Sequence, residues 1–356
     1  MPMPITEVDV REALKSVMDP DLHRDIVTLG FVKNVILDLP KVSFQIDLTT
    51  PACPVKEQLK SQAEECVLAL DGVETVEIEM TATVRNRNQK PEDLITGVKH
   101  VIAVASGKGG VGKSTVTVNL ALALSQTGAK VGILDADVYG PSIPLMLGSQ
   151  SDKPFTEGQK IIPILKYGVQ TMSLGYLLED DSAVLWRGPM VAGTVRQLLA
   201  DVEWGELDYL LVDLPPGTGD APMSLAQLVP LTGVVIVSTP HNVAANIAGK
   251  AVQLFRRLNS PILGVIENMG EYEDPISGER KKMFFGMTGD ELARHISVPY
   301  LGSIPFDPII SMSGDAGIPA VVSHPETLQA LAFRTIAGKL AQQASIRAMA
   351  NEPVEV

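Results

Sequence analysis

The residues with the clearest chemical spacing lie at positions 106–115, where four glycines surround two lysines. The order glycine, four residues, glycine, lysine, serine is typical of a phosphate-binding loop (P-loop), because glycines let backbone N–H groups turn toward an anion. An apolar run at 101–105 precedes this loop and a helical pattern at 116–126 follows, so a helix dipole would face the phosphates. The predicted nucleotide contacts are Gly107, Lys108, Gly109, Gly110, Val111, Gly112, Lys113, Ser114 and Thr115.

Two side chains of this loop have distinct predicted roles. Lys113 would reach the β- and γ-phosphates, and the Ser114 hydroxyl would hold Mg²⁺. The alternative is a glycine-rich turn that binds nothing, which the preceding strand and following helix disfavour. We therefore predict a site for a nucleoside triphosphate and Mg²⁺.

Carboxylates follow two further apolar runs, where a parallel sheet would present them to a ligand. Asp135 and Asp137 come after residues 131–134, and Asp137 would orient the attacking water or a water on Mg²⁺. Alternatively, both aspartates cap a turn. Asp213 ends another apolar run, as in a Walker B element, and would hold the water shell of Mg²⁺. Gly217 would offer its N–H to the γ-phosphate, unless this segment is only a proline-rich turn.

Four other positions have less specific patterns. Asn268 follows an apolar run, so its amide would read an adenine edge or serve a turn. His241 also follows such a run and is predicted to be a turn residue. Cys53 lies just before a predicted helix, whose N-terminus lowers the pKa of a thiol and makes it a better ligand, although it could simply pack as a small side chain. Cys66 lies among apolar residues of that helix and is expected to pack in the core.

The first 83 residues predict a small α+β domain with the order α-β-β-α-β. Thr6 is expected to cap a helix reaching Met18, and alternating residues predict a hairpin over 32–48. The patterns then predict a helix over 55–70 and a strand over 73–80. Residues 84–98 are polar, contain a proline and predict a linker.

Residues 99–356 alternate apolar runs with helical patterns. This order predicts an α/β fold: a P-loop NTPase domain with a doubly wound, mostly parallel sheet and helices on both faces. Such runs suit strands buried on both faces. The predicted strands are 101–105, 131–134, 209–213, 234–238, 262–267 and 300–304, and a long helix is predicted over 325–349.

Composition limits the class of partner. The chain has 356 residues, 45% of them hydrophobic and 20% charged, which is normal for a globular protein of about two domains. A net charge of −13 argues against nucleic acid or an anionic membrane as a partner. Two cysteines suit a reducing compartment, and neither a signal peptide nor a membrane-spanning run is found. We therefore expect a cytoplasmic protein.

The loop also resembles a known family pattern. The sequence Lys-Gly-Gly-Val-Gly-Lys-Ser-Thr at 108–115 is similar to the deviant P-loop of the MinD/ParA class of ATPases. This resemblance implies a homodimer in which Lys108 crosses the interface to the partner's nucleotide, which would couple hydrolysis to dimerisation. The alternative for Lys108 is a solvated loop lysine.

A closer resemblance covers most of residues 98–345. The segments 106–115, 135–142, 186–190 and 207–220 resemble the Mrp/ApbC family, whose members are proposed to bind and hydrolyse ATP and to carry iron–sulfur clusters. Segments 19–30 and 49–54 resemble the small domain of iron–sulfur assembly factors, which implies Cys53 as a cluster ligand. The family implies apo-proteins as recipients of the cluster. We also expect slow ATP hydrolysis, coupled to closure of the dimer.

The chain departs from that family at the expected cluster site. Relatives commonly carry a Cys-x-x-Cys pair soon after the element at 267–269, but residues 269–286 contain no cysteine. Thiolates are the usual cluster ligands, and oxygens such as those of Glu271 or Asp274 are poor substitutes. Asn242 and Ile247 stand where relatives usually have aspartates. The absent pair supports an alternative function, a MinD/ParA-like ATP-dependent dimerisation switch without a metal cluster.

Overall fold

The computed structural model describes residues 5–84, 95–138, 140–177, 188–228, 231–274 and 276–350. The helices are α1 (Glu7–Leu14), α2 (Lys56–Leu68), α3 (Lys113–Ser125), α4 (Ile143–Met146), α5 (Gly188–Asp201), α6 (Asp220–Leu228), α7 (Asn242–Arg257), α8 (Gly289–His295), α9 (Pro308–Asp315), α10 (Ala320–Ser323) and α11 (Leu328–Ala350). The strands are β1 (Met18–Asp19), β2 (Arg24–Asp25), β3 (Val32–Asp38), β4 (Lys41–Leu48), β5 (Thr75–Ala82), β6 (Val98–Ser106), β7 (Val131–Asp135), β8 (Phe155–Glu157), β9 (Lys160–Ile162), β10 (Ile164–Lys166), β11 (Val169–Ser173), β12 (Leu207–Asp213), β13 (Gly233–Ser238), β14 (Ile262–Glu267), β15 (Glu271–Glu273), β16 (Arg280–Lys282) and β17 (Tyr300–Ser303).

The N-terminal part is a three-stranded sheet with two helices. Strand order is β3-β4-β5; the hairpin is antiparallel and β5 runs parallel to β4. Thr6 caps α1 as predicted and forms a reciprocal capping box with Asp9. The helix nevertheless ends at Leu14, because Met18 and Asp19 pair with β2 in a short ladder that the sequence pattern did not predict.

The C-terminal part contains an eight-stranded sheet of order β10-β11-β7-β12-β6-β13-β14-β17. All neighbours are parallel except the edge pair β10–β11. Each of the six predicted strands is present, although β17 ends at Ser303 rather than at residue 304. The α/β, doubly wound fold class is confirmed. Strands β8 to β11 were not predicted. The first three are three-residue runs with exposed positions, and β11, although largely buried, contains the polar residues Gln170, Thr171 and Ser173.

Helices cover both faces of this sheet. In β6, Val101, Ala103 and Ala105 face one buried cluster, whereas Ile102 and Val104 face the other. The first cluster includes residues of α5, α7 and α8, and the second includes those of α3 and α11. The central strand is therefore buried from His100 to Ser106, which fixes the loop that follows it.

The turn at residues 49–54 joins the two parts of the chain. The hydroxyl of Tyr209, near the start of β12, donates a 3.0 Å hydrogen bond to Thr50 Oγ1, and both residues are buried. Ser345 of α11 donates to the carbonyl of Thr49 at 3.4 Å. A Cβ added to Gly338 of α11 would lie 2.9 Å from the Ala52 carbonyl oxygen, so the turn rests directly on this helix.

The predicted linker, 84–98, lies mostly outside the described residues, and its last position, Val98, already begins β6. The predicted boundaries at 83 and 99 stay predictions. None of the helices in the described ranges is long and apolar enough to cross a bilayer.

Candidate functional site

The backbone between β6 and α3 forms a cradle at the carboxyl end of the sheet. Gly110 and Gly112 have φ of 77° and 79°, a conformation that favours glycine. The cradle opens onto a cleft of about 450 Å³, which Lys108, Asp137, Met146 and Pro216 also line. Every predicted contact from Lys108 to Thr115 lines this cleft. Gly107 lies beneath it, where an added Cβ would be 2.6 Å from the Ala248 nitrogen in α7.

Lys113, the first residue of α3, points into a cluster of oxygen atoms. Its Nζ lies 2.8 Å from Asp213 Oδ2 and 3.8 Å from Asp137 Oδ2. The side chains of Lys113 and Asp213 are 5% and 0% exposed, so this ion pair is buried. A buried cation needs a counter-ion. In this structure Asp213 is the counter-ion of Lys113, whose ammonium group the sequence predicts to bind phosphate.

The carboxylate of Asp213 accepts hydrogen bonds at both oxygens. Ser114 Oγ donates to Oδ2 at 2.5 Å, and Thr117 Oγ1 donates to Oδ1 at 2.8 Å. A hydroxyl and a carboxylate in contact at the edge of a phosphate cradle are the hard oxygen donors that Mg²⁺ prefers. The site therefore fits Mg²⁺. Thr117 was not predicted from the sequence, although its spacing of four from Lys113, one helical turn, was an available signal.

Asp135 and Asp137 have different surroundings. Asp135 is 1% exposed and lies beside Asp213 in the sheet register. It accepts bonds from Ser173 Oγ at 3.0 Å and from the Ile143 and Asp137 N–H groups at 3.3 and 3.2 Å. Burial, and then the charge of Asp213, raise the pKa of Asp135. Asp135 thus caps the turn, whereas Asp137 faces the cleft.

Two predicted nucleotide contacts brace the cradle in this structure. The N–H of Gly217, which has φ of 98°, donates to the Ser106 carbonyl at 3.0 Å. The Asn268 side chain is buried and donates to the Val111 carbonyl at 2.8 Å. A Cβ added to Gly112 would clash with the side-chain amide nitrogen of Asn268. Asn268 therefore fixes the position of the glycine-rich loop through its hydrogen bond to the Val111 carbonyl.

Lys108 is half-buried at the rim of the cleft. Its carbonyl accepts a 3.0 Å bond from Ser106 Oγ, which fixes the backbone at this position. Within the ranges that the structure describes, the Lys108 ammonium has no ion-pair partner. His241 caps the start of α7 without a side-chain hydrogen bond and lies edge-on to the ring of Phe284.

Both cysteines lie in the N-terminal part, away from the cradle. Cys53 and Cys66 are half-buried against its core and unpaired with each other. Burial raises the pKa of Cys53 to about 11, which is opposite to the lowering that its place before a helix predicted. Cys66 Sγ lies 3.1 Å from Ser16 Oγ and packs with the core, as predicted. No cluster of three or more His, Cys, Asp or Glu residues suited to a metal occurs in the described part of the chain.

The segment that replaces the expected cysteine pair is a small hairpin. Strands β15 and β16 pair antiparallel, and Lys281 forms an ion pair with Asp274 at 2.5 Å. The Lys281 side chain, through this pair, lowers the pKa of Asp274 to about 2. The hairpin borders a second cleft of about 750 Å³ at the carboxyl ends of β14 and β17, lined in part by Gly270 and Pro305.

An open parallel sheet with a glycine cradle after its central strand, and an aspartate at the end of the next strand, defines a P-loop NTPase. Residues 97–341 match the ParA family model described as NUBPL iron-transfer P-loop NTPase, and residues 7–79 match the model of an iron-sulfur cluster assembly protein. The chain belongs to this iron-transfer P-loop NTPase family, as the resemblance in its sequence predicted.

Individual proteins show the same likeness. An iron-sulfur cluster carrier protein of Synechocystis is 42% identical over 97% of this chain and 99% of its own length. A nucleotide-binding protein of Archaeoglobus fulgidus, solved in complex with ADP, is 39% identical over 67% of this chain and 98% of that chain, with a TM-score of 0.58. The cell division ATPase MinD of Pyrococcus furiosus, at 24% identity, a TM-score of 0.50 and coverage of 67% and 97%, shares the fold.

Proposed function

We propose that this protein is an ATP-hydrolysing iron–sulfur cluster carrier that works as a nucleotide-gated homodimer. The observation that carries the ATPase part is the convergence of Lys113, Ser114 and Asp213 at one end of the glycine cradle. Family membership and the assembly-type N-terminal part support the carrier function. The ADP bound by the Archaeoglobus relative supports an adenine nucleotide.

The geometry supports a simple sequence of contacts. On ATP binding, the Lys113 ammonium exchanges the Asp213 carboxylate for the β- and γ-phosphates. Ser114 and Asp213 would hold Mg²⁺, directly or through water, and the ion would neutralise charge on the phosphates. Asp137, whose Oδ2 lies 3.8 Å from the same ammonium, would orient the attacking water. The second cleft, lined by Glu267 and Gly270 on either side of Asn268 in the chain, would take the base.

Lys108 supports the dimeric part of the proposal. It lies at the rim of the cleft, where its ammonium has no acidic partner among the described residues. A second subunit facing this rim would receive that charge on its own nucleotide, as an arginine finger supplies charge in trans. We expect slow hydrolysis that depends on protein concentration, because each site is complete only in the dimer.

The cargo would be an iron–sulfur cluster delivered to apo-proteins in a reducing, cytoplasmic setting. Cys53 is the proposed thiolate ligand in this chain, since residues 269–286 offer none. One thiolate per subunit holds a cluster only if a second subunit or another ligand completes the set. The alternative is an ATP-dependent dimerisation switch that carries no cluster, and it predicts that the wild type takes up no cluster.

Anaerobic reconstitution with iron and sulfide tests the carrier function. We expect the wild-type dimer and Cys66→Ser to take up cluster absorbance, and Cys53→Ser to lose most of it. No uptake by the wild type would favour the switch, and equal uptake by Cys53→Ser would remove Cys53 as a ligand.

Lys108→Ala tests the dimer separately. We expect it to bind ATP normally but to dimerise and hydrolyse ATP poorly, as measured by calorimetry, light scattering and phosphate release. Unchanged turnover would refute the role in trans.

A further inference from the structure

Thr117 is a buried hydroxyl that the proposed mechanism does not use. It lies on α3, one turn after Lys113, and is 0% exposed. Its Oγ1 is 2.8 Å from Asp213 Oδ1 and 3.0 Å from the Lys113 carbonyl oxygen. A hydroxyl has one proton, and the nearer, charged carboxylate is the stronger acceptor. Thr117 therefore donates to Asp213.

The other two donors to Asp213 have a second task. Lys113 and Ser114 both contact Oδ2 in this structure, and both face the phosphate cleft. The proposed function moves Lys113 to the phosphates and turns a lone pair of Ser114 Oγ to Mg²⁺. When MgATP binds, Asp213 therefore loses the Lys113 ammonium and shares Ser114 with the metal. Thr117 does not line the cleft and keeps its bond.

We propose that Thr117 is the positioning residue of the Mg²⁺ site: it holds Oδ1 of Asp213 so that Oδ2 stays directed at Ser114 and the metal. This inference rests on the proposed Mg²⁺ site and adds to it the residue that orients the carboxylate. Without the hydroxyl, a buried carboxylate oxygen lacks its donor, and the group can rotate when Lys113 leaves.

Three variants separate positioning from general stability. Thr117→Val removes the hydroxyl at nearly constant shape, and Thr117→Ser keeps it. Thr335→Val is the matched control: the Thr335 hydroxyl likewise lies against the helix carbonyl four residues back, that of Leu331, but it is exposed and contacts no carboxylate among the described residues. Where Thr117→Val does not fold, Thr117→Ala replaces it.

The measurement is ATP affinity by calorimetry, in Mg²⁺ and in EDTA, with full-length protein. We expect Thr117→Val to lose about tenfold or more in Mg²⁺ and less than about twofold in EDTA, since it removes a hydrogen bond to a charged group. Thr117→Ser and Thr335→Val should match the wild type, and the melting temperature in EDTA serves as a second readout.

Two results would overturn the inference, and they differ from failure of the proposed function. An equal loss of affinity in Mg²⁺ and EDTA would show a structural role alone, and full Mg²⁺ dependence in Thr117→Val would show no role. If the wild type itself binds ATP equally well with and without Mg²⁺, the proposed metal site fails, and the role of Thr117 fails with it.

Discussion

Gly112 offers a sharp test of how the cradle is built, because Gly110 in the same loop serves as its control. Both have nearly the same positive φ, and alanine there costs about 1 to 2 kcal/mol for the left-handed conformation. A Cβ on Gly110 meets nothing within 4 Å, whereas one on Gly112 meets the Asn268 amide nitrogen. Displacing Asn268 breaks its bond to the Val111 carbonyl, which adds about 1 to 3 kcal/mol.

Gly112→Ala should therefore lower the free energy of unfolding by roughly 2 to 5 kcal/mol, and Gly110→Ala by only about 1 to 2. Urea unfolding without nucleotide, followed by tryptophan fluorescence, measures this difference. Both tryptophans, Trp186 and Trp204, belong to residues 99–356, so the signal reports on the part that contains the cradle.

A double-mutant cycle gives the decisive comparison. Asn268→Ala should cost less in a Gly112→Ala background than in the wild type, because the amide bond is already lost there. Equal costs of unfolding for Gly110→Ala and Gly112→Ala, or strict additivity with Asn268→Ala, would refute the proposed contact.

Three further predictions address the buried ion pair, the seam between the two parts and the thiol. Asp213→Asn should leave Lys113 buried without its nearer counter-ion and destabilise the nucleotide-free protein by about 3 kcal/mol, measured by urea unfolding; a loss below 1 kcal/mol would contradict the pairing. Gly338→Ala should push on the turn at 49–54 and speed its hydrogen exchange, whereas Gly249→Ala, whose nearest neighbour is at 4.0 Å, should not; equal exchange in both would contradict the close approach. In a Cys66→Ser background, Cys53 should be alkylated at pH 8 about a hundredfold more slowly in the folded protein than in urea, since its pKa is about 11 in the folded protein against an ordinary 9. The alkylation rate of the folded protein should rise toward pH 11, and equal rates in the folded and unfolded protein would contradict the burial.

Much of this site could be predicted because most of the residues that form it are close together in the sequence. The loop from Gly107 to Ser114 has its strand, turn and helix within one continuous segment, and buried parallel strands leave long apolar runs that end at carboxylates such as Asp213. What escaped prediction depends on distant packing. The bond from Thr117 to Asp213 joins residues 96 apart, and that from Tyr209 to Thr50 joins residues 159 apart.

The same contrast explains the error over the Cys53 thiol. Its position before α2 indicated a lowered pKa, but the helix has no side-chain cap at its start and the thiol packs against the core. Desolvation then outweighs the helix dipole, which acts only within about one turn and contributes a few tenths to 1 kcal/mol at an exposed site. A sequence gives the helix but not the burial, and burial decides the direction.

The position of that thiol constrains how ATP can act on cargo. The turn that carries Cys53 contacts Tyr209, whereas the phosphate site uses Asp213, four residues further along β12 and about 13 Å away along a strand. The turn that carries Cys53 therefore contacts a different part of β12 from the part that forms the phosphate site. In this arrangement ATP can influence the thiol by changing how the turn packs on β12 and α11, or through the second subunit. Linkage makes such an effect reciprocal, so a cluster on Cys53 that responds to ATP must change ATP affinity by the same factor.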